Sequence, residues 1–365
     1  KRFSVSVYNL EFLLNSKTTL ASVTGILVMT LLMASCGGGS GANSSSNQTP
    51  VANQNTQTAN TTATQNRPTD TTPSCEEYES ENAATETQTQ TPTNLQRCSF
   101  RHDDLDRVFY LYVPGSYASS TSALPVLFSL HGYTSSALTH LNYAGFGSLA
   151  SKESFIVVYP QGSILQSTGS THWNVGGWTN GSTTNDVDFV ETMIDYLTTN
   201  FRVDPDRIYS TGMSNGGFMS YRLACELGNK IAAIASVTGS MTPETLSSCN
   251  PNRPTSAMQI HGSLDRTVPY EGNSAMSPIE EVMAYWSEIN RCNSSPDSDA
   301  LPDLTGDGSG GTVTQYRNCQ NDVEVTLYLL DSMGHEWPLS GAHDLDAPSV
   351  IWEFLSRYNR YGLIQ

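Results

Sequence analysis

Arg207-Ile-Tyr-Ser-Thr211 runs without a break into Gly212-Met213-Ser214-Asn215-Gly216, and from about Asn215 to Leu227 apolar residues recur at helical spacing. A short strand, a five-residue Gly-x-Ser-x-Gly turn and a helix therefore follow one another with no loop between them. A serine on so tight a turn is held in a strained backbone conformation, so the positions two before and two after it accept only glycine. The same turn lifts the hydroxyl clear of the sheet and aims the helix N-terminus at the place where an oxyanion would form.

On either side of this unit lie further strands and helices in alternation. Arg107–Val113, Pro125–Leu130, Phe155–Pro160, Ile231–Val237, Ser256–Ile260 and Val323–Leu330 read as strands, several of them apolar throughout. Val187, Val190, Ile194 and Leu197 recur at helical spacing from Asp186 to Phe201, with Asp186, Asp188 and Glu191 near the helix start, where they complement its dipole. Helices are also expected near 278–290 and 347–359, the last begun by Asp346 ahead of Pro348. There is no internal repeat. Fully apolar strands alternating with helices give an α/β fold, with a mainly parallel central sheet covered by helices on both faces. In such sheets the chemistry sits beyond the carboxyl ends of the strands.

Only part of the 365-residue chain can pack in this way. Residues 37–74 open Gly-Gly-Gly-Ser-Gly and continue almost entirely in Ser, Thr, Asn, Gln, Ala and Pro, too little apolar area to offset the entropy of ordering. The expected organisation is a signal segment at 1–35, a flexible low-complexity tether at 36–97 and one catalytic-sized domain at 98–365. Lys17 precedes the apolar run 20–35, and Leu32-Met33-Ala34-Ser35-Cys36 resembles the bacterial lipobox, with Met33 where leucine is usual. Cys36 is then the lipidation site, the chain is exported, and Gly37 in place of an aspartate implies outer-membrane attachment. An uncleaved anchor or a core helix is the plainer alternative for the same run.

Of seven cysteines, six remain once Cys36 is set aside. In an exported protein, pairing by neighbours gives Cys75–Cys98, Cys225–Cys249 and Cys292–Cys319. No pair has Cys-x-x-Cys spacing, so neither a zinc nor a redox site is expected. The net charge of −17, with 18 basic against 35 acidic side chains, argues against a nucleic-acid partner. A monomer is expected, touching a membrane through its lipid anchor alone.

A serine needs a base, and seven histidines compete. In an α/β-hydrolase the partners follow the serine as Asp or Glu and then His, which leaves His261, His335 and His343. His335 follows the last strand at the correct sheet edge, and His343 is the fallback eight residues on. Asp265 directly follows the strand ending at Ile260, whereas His261 reads as a structural turn residue. Two backbone donors must hold the oxyanion: the amide of Asn215, and that of Tyr133 in His131-Gly132-Tyr133-Thr134 after the 125–130 strand. The His131 side chain is expected to be packed or hydrogen-bonded under its loop.

Together, Leu130-His-Gly-Tyr, Val158-Tyr-Pro-Gln-Gly162, Gly212-Met-Ser-Asn-Gly-Gly-Phe-Met-Ser-Tyr221, His261-Gly-Ser-Leu-Asp265 with Val268-Pro-Tyr270, and Gly334-His-Glu-Trp-Pro338 resemble the polyhydroxybutyrate-depolymerase-like esterases. That group also takes in feruloyl and acetylxylan esterases. The resemblance covers about 100–360. It implies an α/β-hydrolase fold, Ser214 as nucleophile, His335 as base oriented by Asp265, an ester substrate and no cofactor or metal. Met333-Gly-His stands where Gly-Gly-His is usual, which touches loop packing more than chemistry.

Trp173 and Trp178 lie in a Gly-rich loop and Trp337 two residues past the candidate base; they read either as an aromatic wall for an acyl group or as ordinary loop anchors. The segment 297–307 carries four aspartates with turn glycines but no EF-hand spacing, and a solvated acidic insertion is expected in preference to a calcium loop. Two rival functions stay open: an exported peptidase, because the same triad cleaves amides, and a carbohydrate- or partner-binding lipoprotein with silent chemistry. None of the four lysines has a serine three residues before it, so Ser-x-x-Lys chemistry is excluded.

Overall fold

Apolar runs too short for helices build the centre of the sheet, and strands with one solvated face build its margins. The computed structural model describes residues 71–79 and 94–365; the expected signal segment, Cys36 and most of the expected tether lie outside the described residues. The strands begin with β1 (Ser74–Glu77), β2 (Leu95–His102), β3 (Leu105–Tyr112), β4 (Leu124–Leu130) and β5 (Ile156–Pro160). A small hairpin of β6 (Ser163–Leu165) and β7 (Ser170–His172) follows, then β8 (Val203–Met213), β9 (Ala233–Val237) and β10 (Ser256–Gly262). After these come β11 (Asp297–Leu301), β12 (Gly311–Tyr316), β13 (Val325–Leu330) and a terminal hairpin of β14 (Tyr358–Asn359) and β15 (Gly362–Leu363). The helices are α1 (Ala137–Ala144), α2 (Phe146–Glu153), α3 (Asp186–Asn200), α4 (Asn215–Glu226), α5 (Pro243–Ser248), α6 (Ile279–Ile289) and α7 (Ala347–Leu355).

One sheet takes the order β1-β2-β3-β5-β4-β8-β9-β10-β13-β12-β11. Its six middle strands, β5 to β13 in that order, are parallel, while every pairing outside them is antiparallel. The sheet is thus mixed, parallel only where helices cover both faces. Strand β4 is buried at every position and divides its side chains: Val126, Phe128 and Leu130 enter one core with α3, α4 and α6, and Leu127 enters the other with α1, α2 and α7.

One part of the expected organisation differs from what the structure contains. Ser74–Glu77 and Leu95–Arg97 fell inside the expected tether but are paired strands, joined across the sheet edge by the Cys75–Cys98 disulfide. The 297–307 segment is solvated and lies inside the Cys292–Cys319 disulfide, as expected, and its first residues form edge strand β11. Both β1 and β11 are edge strands with polar, exposed positions, so they lack the apolar signal of the centre. The other expected pairs, Cys225–Cys249 and Cys292–Cys319, are also formed.

Candidate active site

Parallel register brings four strand ends to one edge. Leu130 of β4 lies opposite Gly212 of β8, Met213 opposite Val237 of β9, and Gly262 of β10 opposite Leu330 of β13. The loops leaving β4, β8, β10 and β13 carry Tyr133, Ser214, Asp265 and His335 in turn.

Ser214 is the N-cap of α4 and sits at φ 54°, ψ −120°, a strained conformation for a side-chain-bearing residue. The flanking glycines are required sterically: a Cβ on Gly216 would lie 2.2 Å from Leu130 O, and one on Gly212 would lie 2.6 Å from the Gly216 carbonyl carbon. A close approach also joins the other two loops, because a Cβ on Gly262 would fall 2.2 Å from Met333 O. That approach lays the His335 loop against the Asp265 loop. Met333, where the resembled group has glycine, is buried in the core behind it.

His335 Nδ1 hydrogen-bonds Asp265 Oδ2 at 2.7 Å. Asp265 is buried, and its Oδ1 accepts the amides of Thr267 and Val268 at 2.9 Å each. Burial alone would raise the carboxyl, but hydrogen bonds from His335 and the Val268 amide outweigh it and hold the group below the usual aspartate value. His261 lies behind this pair, its Nε2 donating to Val268 O at 2.8 Å and its Nδ1 accepting from Gln259. Burial keeps its pKa below the ordinary histidine value, consistent with a neutral structural residue. His343 bonds Glu336 at 2.7 Å rather than Asp265, so His335 is the histidine that meets the acid. Among the described residues the Ser214 hydroxyl forms no hydrogen bond to His335.

Two backbone donors flank the serine. Asn215 begins α4, so its amide has no intrahelical partner, and the Tyr133 amide bonds no other described residue. His131 sets the direction of the second donor. Its Nδ1 donates to Gly132 O at 2.7 Å, while its Nε2 accepts the Gly162 amide at 2.9 Å. In a trans peptide the carbonyl and the next amide point opposite ways, so pinning Gly132 O aims the Tyr133 N–H away from His131. Burial holds His131 down to about 4, which keeps it neutral and its tautomer fixed.

The three tryptophans separate. Trp173 is fully buried; its indole donates to His131 O at 2.9 Å, and the Asn215 side chain clamps its backbone through bonds of 2.6 and 3.1 Å. Trp337 packs edge-on against His140 and Phe146 inside the core. Both are therefore corrected from wall residues to anchors. Of the three, Trp178 alone keeps exposed area, edge-on to Tyr133 at 5.6 Å between ring centres.

The acidic hairpin loop is tied to the loop that follows His335. Asp344 accepts the amides of Leu304 and Thr305 at 2.7 and 2.9 Å and the Ser309 hydroxyl at 3.1 Å. Carboxylate oxygens of Asp303, Asp307 and Asp344 lie within 4.8 Å of one another, a donor set of the type a hard cation takes, although each already accepts hydrogen bonds from the loop. Sequence reasoning missed Asp344, which lies 37 residues from Asp307 and carries no local signal. It also missed the clamp made by the Asn215 side chain, having singled out only that residue's amide.

Strand ends carrying a Gly-x-Ser-x-Gly elbow, an acid and a histidine in that chain order define an α/β-hydrolase. The chain belongs to the Esterase family, whose model matches residues 104–301. It is 26% identical over 263 residues to the bifunctional acetylxylan esterase/xylanase of Neocallimastix patriciarum, covering 72% of this chain and 35% of that protein. It is 29% identical over 224 residues to feruloyl esterase B of Piromyces equi, covering 58% of this chain and 40% of that one. The chain thus spans well under half the length of these two relatives. Among solved structures, the acetyl xylan esterase from Aspergillus awamori superposes with a TM-score of 0.53 at 17% identity, over 72% of this chain and 98% of that one, a likeness of fold.

Proposed function

We propose that this chain is a serine carboxylic-ester hydrolase acting on acyl esters of plant cell-wall polysaccharide. The observation that carries the reading is the 2.7 Å bond from buried Asp265 to His335, at the sheet edge that also presents Ser214. In this reading His335 Nε2 takes the Ser214 proton, the alkoxide adds to the ester carbonyl, and the amides of Asn215 and Tyr133 hold the oxyanion. Collapse expels the alcohol, which takes the proton from His335. Water, activated by the same imidazole, then adds to the acyl-enzyme and releases the acid and Ser214. Asp265 keeps the proton on Nδ1 throughout, and Trp178 borders the acyl site beside Tyr133. The activities for which the relatives are named, acetylxylan esterase and feruloyl esterase, support this substrate class. The motif resemblance supports polyester cleavage as a second reading.

The deciding experiment is turnover of acetylated xylan, methyl ferulate and hydroxybutyrate oligomers by the chain. Cleavage of a plant ester with little action on the oligomers is expected; the reverse ranking would replace the first reading by the second. Export and acylation at Cys36 belong to the same proposal. Metabolic labelling with a palmitate analogue should mark the parent and spare Cys36→Ser; equal labelling of both would refute the anchor.

A further inference from the structure

A cavity of about 530 Å3 lies between β3, the β6–β7 hairpin and the 181–184 segment. Its size is that of a ligand pocket rather than a packing defect. It shares structure with the active site: Gln161 and Gly162 line it and also hold His131, while Thr171 lines it and bonds Ser135 O through its hydroxyl and Thr134 N through its carbonyl.

The chemistry of the lining selects a ligand class. No aromatic side chain lines it, so it offers nothing on which a hydroxycinnamoyl ring could stack. Its charged groups are matched within the protein, Arg107 with Asp186 at 2.7 Å and Asp106 with Arg101 at 3.0 Å, leaving no net charge to attract an ion. What remains is neutral and polar. Ser163 donates to Thr184, which donates to Asp186 Oδ2, so the relay is oriented and Ser163 Oγ keeps an acceptor site. Gln166 and Thr183 line the cavity with side chains that bond no other described residue. Ile164, 47% exposed, and Leu105, 37% exposed, supply apolar patches. Hydroxyl and amide groups beside aliphatic patches, without charge or aromatic rings, match the alternating hydroxyls and C–H faces of a pyranose.

We propose that this cavity is a subsite for a neutral, unesterified sugar unit of the substrate's backbone, linked to the cleaving site through the loop contacts of Gln161, Gly162 and Thr171. The inference rests on the polysaccharide-ester reading above and names where that substrate would be gripped. Binding there would lower KM for polymeric esters and leave small esters untouched.

The test uses the full chain with xylotetraose as probe, read by calorimetry and by chemical-shift changes at Ile164 and Thr183. The parent should bind it, and Thr183→Trp, which fills the cavity, should weaken binding at least tenfold. The milder Gln166→Ala, at an exposed side chain, should weaken it severalfold and serves if the larger substitution disturbs folding. Both variants should hydrolyse 4-nitrophenyl acetate within twofold of the parent and lose at least fivefold in kcat/KM on acetylated xylo-oligosaccharide, through KM. Absence of binding to the parent, or equal binding to parent and variants, overturns the subsite. Binding of xylotetraose without cleavage of any xylan ester sinks the substrate reading instead and leaves the subsite standing.

Discussion

Replacing Asp265 with asparagine changes one atom and should remove almost all turnover while leaving the fold in place. Asp265 Oδ1 accepts two backbone amides, from Thr267 and Val268, and these orient the group. An asparagine will keep its carbonyl oxygen there, which puts its NH2 where Oδ2 now accepts His335 Nδ1 at 2.7 Å. Two donors would then face each other. The imidazole escapes by moving its proton to Nε2, the atom that must accept from Ser214. A tautomer trap of this kind in serine hydrolases costs about 10,000-fold in kcat, or about 5.5 kcal/mol of transition-state stabilisation. The fold keeps both amide bonds and loses one charge-assisted bond, so the expected stability change is below about 3 kcal/mol. Turnover of 4-nitrophenyl acetate, measured beside urea unfolding, separates the two effects. A loss under about tenfold in a folded variant would refute the claim that Asp265 sets the tautomer of His335.

Other outcomes follow from the same geometry. Gly216→Ala places a Cβ 2.2 Å from Leu130 O, so the elbow must shift; at least a hundredfold loss of kcat is expected, and near-parental activity would show that the turn is not sterically closed. Burial lowers His131 to about 4 and His140 to about 3, so the unfolded chain takes up protons below pH 6.5 that the native state refuses. That stability is full above pH 6.5 and is lost as pH falls; from pH 7.5 to 5 the two groups together should cost roughly 4 kcal/mol, visible as a falling urea midpoint, whereas a flat profile would contradict their neutrality. Asp265, held low, adds a further loss only below its unfolded value of 3.8. Cys292→Ser with Cys319→Ser opens a loop with a sequence separation of 27 and should lower stability by about 3.5 kcal/mol in the chain-entropy model; an unchanged unfolding midpoint would show that the hairpin is held by other means.

Legibility in the sequence followed burial. The middle strands β4, β9 and β10 are buried at every position, so their apolar runs announced them, and the elbow was readable because its two glycines are demanded by backbone contacts only 2.2 to 2.6 Å away. Edge strands β1 and β11 expose nearly every side chain and looked like tether and insertion. Ser, Asp and His could be ordered along the chain because each follows a legible strand. The fates of Trp173 and Trp337 could not, because an indole beside a catalytic loop has the same local sequence whether it faces the cleft or the core. Asp344 makes the same point: its partners at 304, 305 and 309 meet it only after the hairpin folds over the histidine loop.

The central claim is that Ser214 carries the acyl group. Treatment with a fluorophosphonate, followed by peptide mass analysis, should find one adduct on the peptide containing Ser214, with neither label nor turnover in Ser214→Ala. Label on another residue, or ester turnover surviving in Ser214→Ala, would contradict it.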